Sequence, residues 1–130
     1  MNGQLELELG IRTNETHKYN RISDLDMYQQ VAKTTAIYPR EQAIIYTTLG
    51  LTGEAGEVAN KVKKIIRDDG YKNNESMVQE ISAEIGDCLW YISVLADDIG
   101  CKLSDIANAN LIKLANRKEK GTIHGSGDKR

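Results

Sequence analysis

Apolar residues recur three and four positions apart along two long stretches of the chain, which is the spacing of one face of an α-helix. In residues 39–67 this row consists of Ile44, Thr48, Leu51, Ala55, Val58, Val62 and Ile65. In residues 75–99 it consists of Ile81, Ile85, Cys88, Ile92, Leu95 and Ile99. We call these rows the apolar seams and expect each to face a packed neighbour. Strand-like alternation is nearly absent after residue 23, so the pattern predicts an all-α chain.

Caps, proline and glycine divide this pattern into four helices. The expected starts are marked by Ser23 with Asp26 in a capping-box-like pattern, by Pro39, by Asn73 or Asn74, and by Ser104. The expected ends of the second and third helices are marked by Gly70, in the turn of residues 68–74, and by Gly100. The helices are therefore predicted at about 24–36, 39–67, 75–99 and 104–117.

A chain of 130 residues suits a single domain. We expect a helical domain over residues 23–120, preceded by an N-terminal arm of residues 1–22 and followed by a Gly-rich tail of residues 121–130. The arm is interpreted either as mobile or as a short strand. The tail suits either a lid that closes over phosphate or a frayed terminus.

Composition excludes several classes of function. The chain has 17 basic and 19 acidic residues and a net charge of -2, so it lacks the basic field that nucleic-acid binding needs. No apolar run approaches the length of a membrane span, and the N-terminus lacks the pattern of a signal peptide. Cys88 and Cys101 have no metal-ligand spacing and are expected to be reduced thiols. We therefore expect a cytoplasmic protein without nucleic-acid or membrane partners.

Two acidic pairs border the apolar seams. Glu54 and Glu57 lie three residues apart on the second helix, and Glu84 and Asp87 lie three apart on the third, so each pair shares a helix face. Each of these acids directly precedes a seam residue, so its side chain lies about 100° around the helix axis from the seam. A short turn makes the two helices antiparallel, and residues whose numbers sum to about 141 then lie level. Glu54 is thus expected level with Asp87, and Glu57 with Glu84.

Four converging carboxylates would repel one another. Two like charges 4 Å apart cost about 4 kcal/mol at an effective dielectric constant of 20. A divalent cation removes this cost, and ligands that are all oxygen select Mg²⁺, Mn²⁺ or Ca²⁺. In proteins Mg²⁺ is commonly bound by a few carboxylates together with the phosphates of a substrate, so such a site favours phosphate chemistry. The competing interpretation is a solvated charged face, in which Glu57 and Lys61 form an ordinary pair four residues apart.

The pattern Glu54-Ala-Gly-Glu57, followed after 26 residues by Glu84-Ile-Gly-Asp87, resembles the ExxE…ExxD signature of MazG-like nucleotide pyrophosphohydrolases. The similarity extends to LGLTGEAGEVANKVKK and EIGDCLWYISVLA around the acids, to YQQVAKTTAIYP in the first helix, and to NANLIKLANRKEKGTIHGSGDKR at the C-terminus. It covers about residues 23–130.

The resemblance implies an all-α fold that assembles as a homodimer or homotetramer, with sites that can draw on a neighbouring chain. It implies Mg²⁺-dependent hydrolysis, with Mn²⁺ as a substitute, of a nucleoside triphosphate between the α and β phosphates. The implied metal ligands and catalytic residues, with a water held by the metal or by a carboxylate as nucleophile, are Glu54, Glu57, Glu84 and Asp87. The candidate substrate contacts are Lys61, Lys64, Trp90, Asn110, Lys113 and Arg117. Trp90 suits either stacking on a base or packing in the core.

Two alternatives remain open at this stage. One is a relative specialised for dUTP or for phosphoribosyl-ATP, which a panel of substrates distinguishes. The other is a non-enzymatic helical assembly protein whose acids are structural. This second alternative predicts no Mg²⁺ binding and no effect of Glu57→Gln.

Overall fold

The periodicity of the sequence corresponds to real helices. The computed structural model describes residue 22, residues 24–70 and residues 75–127, with Asp69 described by its backbone alone. The elements in these ranges are α1 (Leu25–Lys33), a 3-10 turn (Arg40–Gln42), α2 (Ala43–Asp69), α3 (Glu75–Asp98) and α4 (Leu103–Glu119). No strand occurs in the described ranges, and the all-α prediction is confirmed.

The two glycines predicted to end helices both adopt left-handed backbone conformations at those positions. Gly70 adopts φ 61° and ends α2, and Gly100 adopts φ 77° just after α3, conformations that glycine reaches without steric cost. Pro39 precedes the 3-10 turn, so α2 itself begins at Ala43 and not at the predicted residue 39. The predicted caps Ser23, Asn73 and Asn74 lie outside the described residues.

Two of the predicted capping roles are wrong. The N-cap of α1 is Asp24, whose side chain accepts a hydrogen bond of 2.7 Å from the Met27 amide. Asp26 instead accepts hydrogen bonds from the amide and the hydroxyl of Ser104, at 2.9 and 2.7 Å. Ser104 is therefore the second residue of α4 and not its cap, and α4 starts after Lys102 without a side-chain cap. The Asp26–Ser104 pair joins α1 to α4.

Among the described elements, helices α2 and α3 make the most extensive contact, and they run antiparallel. Their register matches the predicted sum of 141. Lys61 Nζ lies 3.5 Å from Glu80 Oε2, and the ring of Tyr91 lies against the backbone at Gly50. This register also places the fully buried Thr47 level with Val94.

Within one chain, the apolar seams lack the expected packed neighbours over much of their length. The α2 row that faces α3 includes Thr47, Gly50, Glu54 and Lys61, and the α2 seam lies about a quarter-turn away from this row. The α3 seam is displaced from its contact row in the same way. Because the helices are antiparallel, both seams fall on the same side of the pair. We call the exposed aliphatic side chains on that side, which are 39–57% exposed, the isoleucine face: Ile44, Ile66, Ile85, Ile92 and Ile99.

Helices α1 and α4 pack on the other side of α3. Gln29 of α1 is 6% exposed and joins the elements through its amide. Its Nε2 donates to the carbonyls of Ser93 and Cys101, at 3.2 and 2.9 Å, and its Oε1 accepts from the Leu103 amide at 3.0 Å. No described helix combines the length and the hydropathy needed to cross a membrane.

Candidate metal centre

Three carboxylates from two helices converge midway along the α2–α3 pair. Glu54 comes from α2, and Glu84 and Asp87 come from successive turns of α3. One oxygen of each lies within 4.8 Å of the others. Glu54 and Glu84 are half-buried, whereas Asp87 is exposed. The predicted pairing of Glu54 with Asp87 thus follows directly from the antiparallel register.

The electrostatics of this cluster favour a bound cation. Partial burial raises the pKa of Glu54, and repulsion from Asp87, Glu84 and Glu57 raises it further. The three donors are all oxygen, which suits a hard divalent ion. Ligands of one octahedral Mg²⁺ lie about 3–4 Å apart. Small side-chain rotations would therefore bring the three oxygens onto one ion.

Glu57 lies outside the group of three. Its side chain is exposed, and its Oε1 accepts a hydrogen bond of 3.4 Å from the Asn60 amide nitrogen. It is close enough to contribute to the raised pKa of Glu54. The structure therefore brings together three of the four expected carboxylates and places the fourth beside them.

Lys61 is the basic residue that contacts this cluster across the helix pair. Its Nζ lies 3.7 Å from Glu84 Oε1 and 3.5 Å from Glu80 Oε2, and its side chain is 27% exposed. Lys61 does not form the alternative ion pair with Glu57, which lies four residues earlier on the same helix. Lys61 thus partly balances the acidic charge from one side of the cluster.

The other predicted substrate contacts are more dispersed. Lys64 is exposed on α2. Trp90 packs beside the core, where its indole donates to Thr35 Oγ1 at 2.8 Å. On α4, Asn110 and Lys113 are exposed and Arg117 is buried. Because α4 packs against α1 and α3, without extensive contact to α2, a single chain does not place these residues beside Glu54.

A pocket between α1 and α3 was not predicted. It has a volume of about 320 Å³ and is lined by Ile22, Asp24, Leu25, Tyr28 and Leu89. Burial raises the pKa of Tyr28, and the nearby charge of Asp87 adds to the effect. Leu25 and Tyr28 lie three residues apart and share a face of α1, but only the packing of α1 on α3 creates the pocket.

Comparison with known proteins places this geometry in a family. The model of the MazG nucleotide pyrophosphohydrolase domain matches residues 42–122. The chain belongs to this MazG family. The matched region runs from the start of α2 to just beyond α4, so the MazG domain contains the three converging carboxylates, Glu57 and Lys61.

One relative extends the comparison beyond the MazG domain. The Gene 37 protein of Mycobacterium phage L5 is 47% identical to this chain over 113 residues, which cover 82% of this chain and 98% of the phage protein. No solved structure matches the chain. The family assignment supports nucleotide pyrophosphate hydrolysis, a reaction at a phosphoric anhydride, as the activity class of this MazG domain.

Proposed function

We propose that this protein is a Mg²⁺-dependent nucleoside triphosphate pyrophosphohydrolase. It would cleave an NTP or dNTP between the α and β phosphates and release a nucleoside monophosphate and pyrophosphate. The observation that carries the proposal is the convergence of Glu54, Glu84 and Asp87 within a MazG domain. An acidic cluster of this kind has little structural value by itself, because its members repel one another.

We assign the metal ligands to Glu54, Glu84 and Asp87, with Glu57 as the fourth carboxylate because it lies level with Glu84 in the register. Mg²⁺, with Mn²⁺ as a substitute, would neutralise the carboxylate and phosphate charges and polarise the phosphoryl group. The chain holds these donors on two packed helices and not on loops, which fixes their separation.

The chain's own residues have defined tasks in the hydrolysis. A water oxygen forms a bond to the α-phosphorus, the bond from that phosphorus to the α–β bridging oxygen breaks, and the bridging oxygen leaves with pyrophosphate. The proton lost by the water passes to a carboxylate of the cluster, for which Glu57 is the best placed because it is exposed beside the group of three. Lys61 and Lys64 extend along α2 from the acids and are assigned to the phosphates.

The isoleucine face supports assembly into a homodimer or homotetramer. Five half-exposed isoleucines on one side of the α2–α3 pair exceed the scattered apolar exposure of a monomeric surface. On α4, Leu111 and Ile112 are also 64% and 63% exposed. We propose that a second copy covers these surfaces and that α4 then brings the exposed Asn110 and Lys113 toward substrate. Light scattering coupled to gel filtration tests the assembly, and a monomer at all concentrations would contradict it.

Both cysteines of the chain are unpaired, which fits the reducing cytoplasm to which we assign the protein. We assign neither a nucleic acid nor a membrane as a partner, because the net charge of -2 offers no basic field.

The deciding experiment measures pyrophosphate release from canonical and modified NTPs and dNTPs, with Mg²⁺ or with EDTA. Turnover that requires the metal and is lost in Glu57→Gln supports the proposal, and the best substrate separates a general enzyme from one specific for dUTP or phosphoribosyl-ATP. A folded protein with no turnover on any nucleotide and no Mg²⁺ binding would instead favour a non-enzymatic helical assembly protein.

A further inference from the structure

One glycine of α2 differs from the others in its surroundings. A methyl group built on Gly50 would overlap the ring of Tyr91, 2.6 Å from Cδ1 and nearer still to Cε1 and Cζ. The same methyl group on Gly53, Gly56 or Gly86 would meet no atom within 4 Å. Among these glycines, Gly50 is therefore the one at which the two helices approach closely.

The ring of Tyr91 is fixed by neighbours other than Gly50. Trp90 lies edge-on to it, with 4.9 Å between the ring centroids and an interplanar angle of 90°. The Tyr91 side chain also lies beside that of Tyr46, which in turn stacks on Tyr38 at a centroid distance of 4.9 Å. Because these contacts hold the ring, we infer that an added methyl group at Gly50 would displace α2.

The contact between Gly50 and Tyr91 lies one helical turn from the carboxylates. Glu54 follows Gly50 by four residues on α2, and Asp87 precedes Tyr91 by four residues on α3, so both pairs lie level in the same register. Beyond the carboxylates, the contact of Lys61 with Glu80 continues that register. The acidic layer is thus held between a ring-on-backbone contact on one side and an ion pair on the other.

We propose that Gly50 and Tyr91 are positioning residues of the metal centre, an inference that rests on the proposed function. The ring packed on bare backbone sets the separation of α2 and α3 at which Glu54, Glu84 and Asp87 reach a common ion. In a formed site the metal–ligand distances lie within about 0.2 Å of their standard values, and the side-chain rotations that close the site absorb only a small shift of a helix. A displacement of α2 by even part of a methyl diameter would therefore weaken metal binding before it unfolds the helices.

The test measures Mn²⁺ affinity without nucleotide, from the electron paramagnetic resonance signal of free Mn²⁺. Gly50→Ala is compared with Gly53→Ala and Gly56→Ala, which make the same change on the same helix in open space. We expect Gly50→Ala to weaken Mn²⁺ binding by about 10–100-fold, as loss of an orienting contact does. The two control variants should bind like wild type, and circular dichroism should show native helix content in all of them.

A second pair of variants separates positioning from general damage. Tyr91→Leu removes the ring without adding volume at Gly50, and we expect it to weaken Mn²⁺ binding less than Gly50→Ala does. In Gly50→Ala/Tyr91→Leu the methyl group has room, so the double variant should bind Mn²⁺ as well as Tyr91→Leu alone. If Gly50→Ala does not fold, the Tyr91→Leu and double variants decide the question.

Three outcomes would overturn the inference. If Gly50→Ala binds Mn²⁺ with wild-type affinity, this inference is wrong, but the proposed metal centre is unaffected. If the double variant is folded but binds as weakly as Gly50→Ala, the loss does not come from the ring. Absence of Mn²⁺ binding by the wild-type protein would overturn both this inference and the proposed function.

Discussion

In the absence of metal, replacing Glu54 by Gln should make the protein more stable. Added metal should then no longer stabilise the variant. Glu54 is the α2 member of the cluster, and Gln keeps its size while removing its charge. In EDTA the substitution removes repulsion from Glu84 and Asp87, so the free energy of unfolding should rise. In Mg²⁺ the wild type gains stability from binding, whereas the variant has lost a ligand.

Charge repulsion and protonation together limit the gain in the free energy of unfolding that Glu54→Gln can give in EDTA. At 4.8 Å, the widest separation in the group, each pair of charges repels by about 3.5 kcal/mol at a dielectric constant of 20 and by about 0.9 kcal/mol in bulk water. Protonation sets an upper limit. Neutralising an acid of ordinary pKa 4.5 at pH 7 costs about 3.4 kcal/mol, so repulsion cannot exceed this value. Because Glu54 is half-buried, we expect a gain of about 1–3 kcal/mol.

Urea unfolding followed by circular dichroism, in EDTA and in excess Mg²⁺, measures both effects. Glu57→Gln is the matched control, since Glu57 lies outside the group of three and is exposed. Its gain in EDTA should be smaller than that of Glu54→Gln. The reasoning is refuted if Glu54→Gln is no more stable than wild type in EDTA, or if Mg²⁺ stabilises this variant as much as wild type.

Three further predictions concern the supports of the site. Gln29→Met removes three hydrogen bonds of a buried amide and should lower the free energy of unfolding by about 2–4 kcal/mol. Urea unfolding measures this loss, and in the matched control Gln30→Met, at an exposed position, the change should be about 0.5 kcal/mol or less. Hydrogen bonds from the Ser104 hydroxyl and amide lower the pKa of Asp26 below 3.8, so the stability they add is present above pH 3.8 and lost as the pH falls through the lowered pKa. The stability difference between wild type and Asp26→Asn should therefore shrink in acid, and a difference that does not vary with pH would contradict this. Lys61→Met should raise the KM for nucleotide or lower kcat, because it removes a cation beside two carboxylates, and unchanged kinetics would disprove this role.

The sequence predicted the helices and the register well, for a physical reason. Helical periodicity is a local property of the chain, and Gly70 and Gly100 interrupt it with backbone conformations that other residues rarely adopt. A short turn then forces adjacent helices to be antiparallel, which brings Glu54 level with Asp87. The prediction of convergence needed no information from other parts of the chain.

The rotation of the helices about their axes could not be predicted in this way. Apolar periodicity indicates which side of a helix avoids water but not which neighbour covers that side. Gly50 and Thr47 let α3 approach the polar side of α2, and neither residue stands out in the sequence as a contact. Ser104 was similarly misassigned as a cap, because its partner Asp26 is distant in sequence and is brought near only by packing.

The quarter-turn between the acidic rows and the isoleucine face means that the same two helices have a competing arrangement. A rotation of each by about 100° would bury seam against seam and turn the carboxylates to solvent. Such a pair would have a better apolar core and no centre for chemistry. The native packing is therefore locally frustrated, as functional sites commonly are. If the proposed second copy covers the isoleucine face, the competing arrangement loses its advantage, and assembly then favours the rotation that brings Glu54 and Asp87 together.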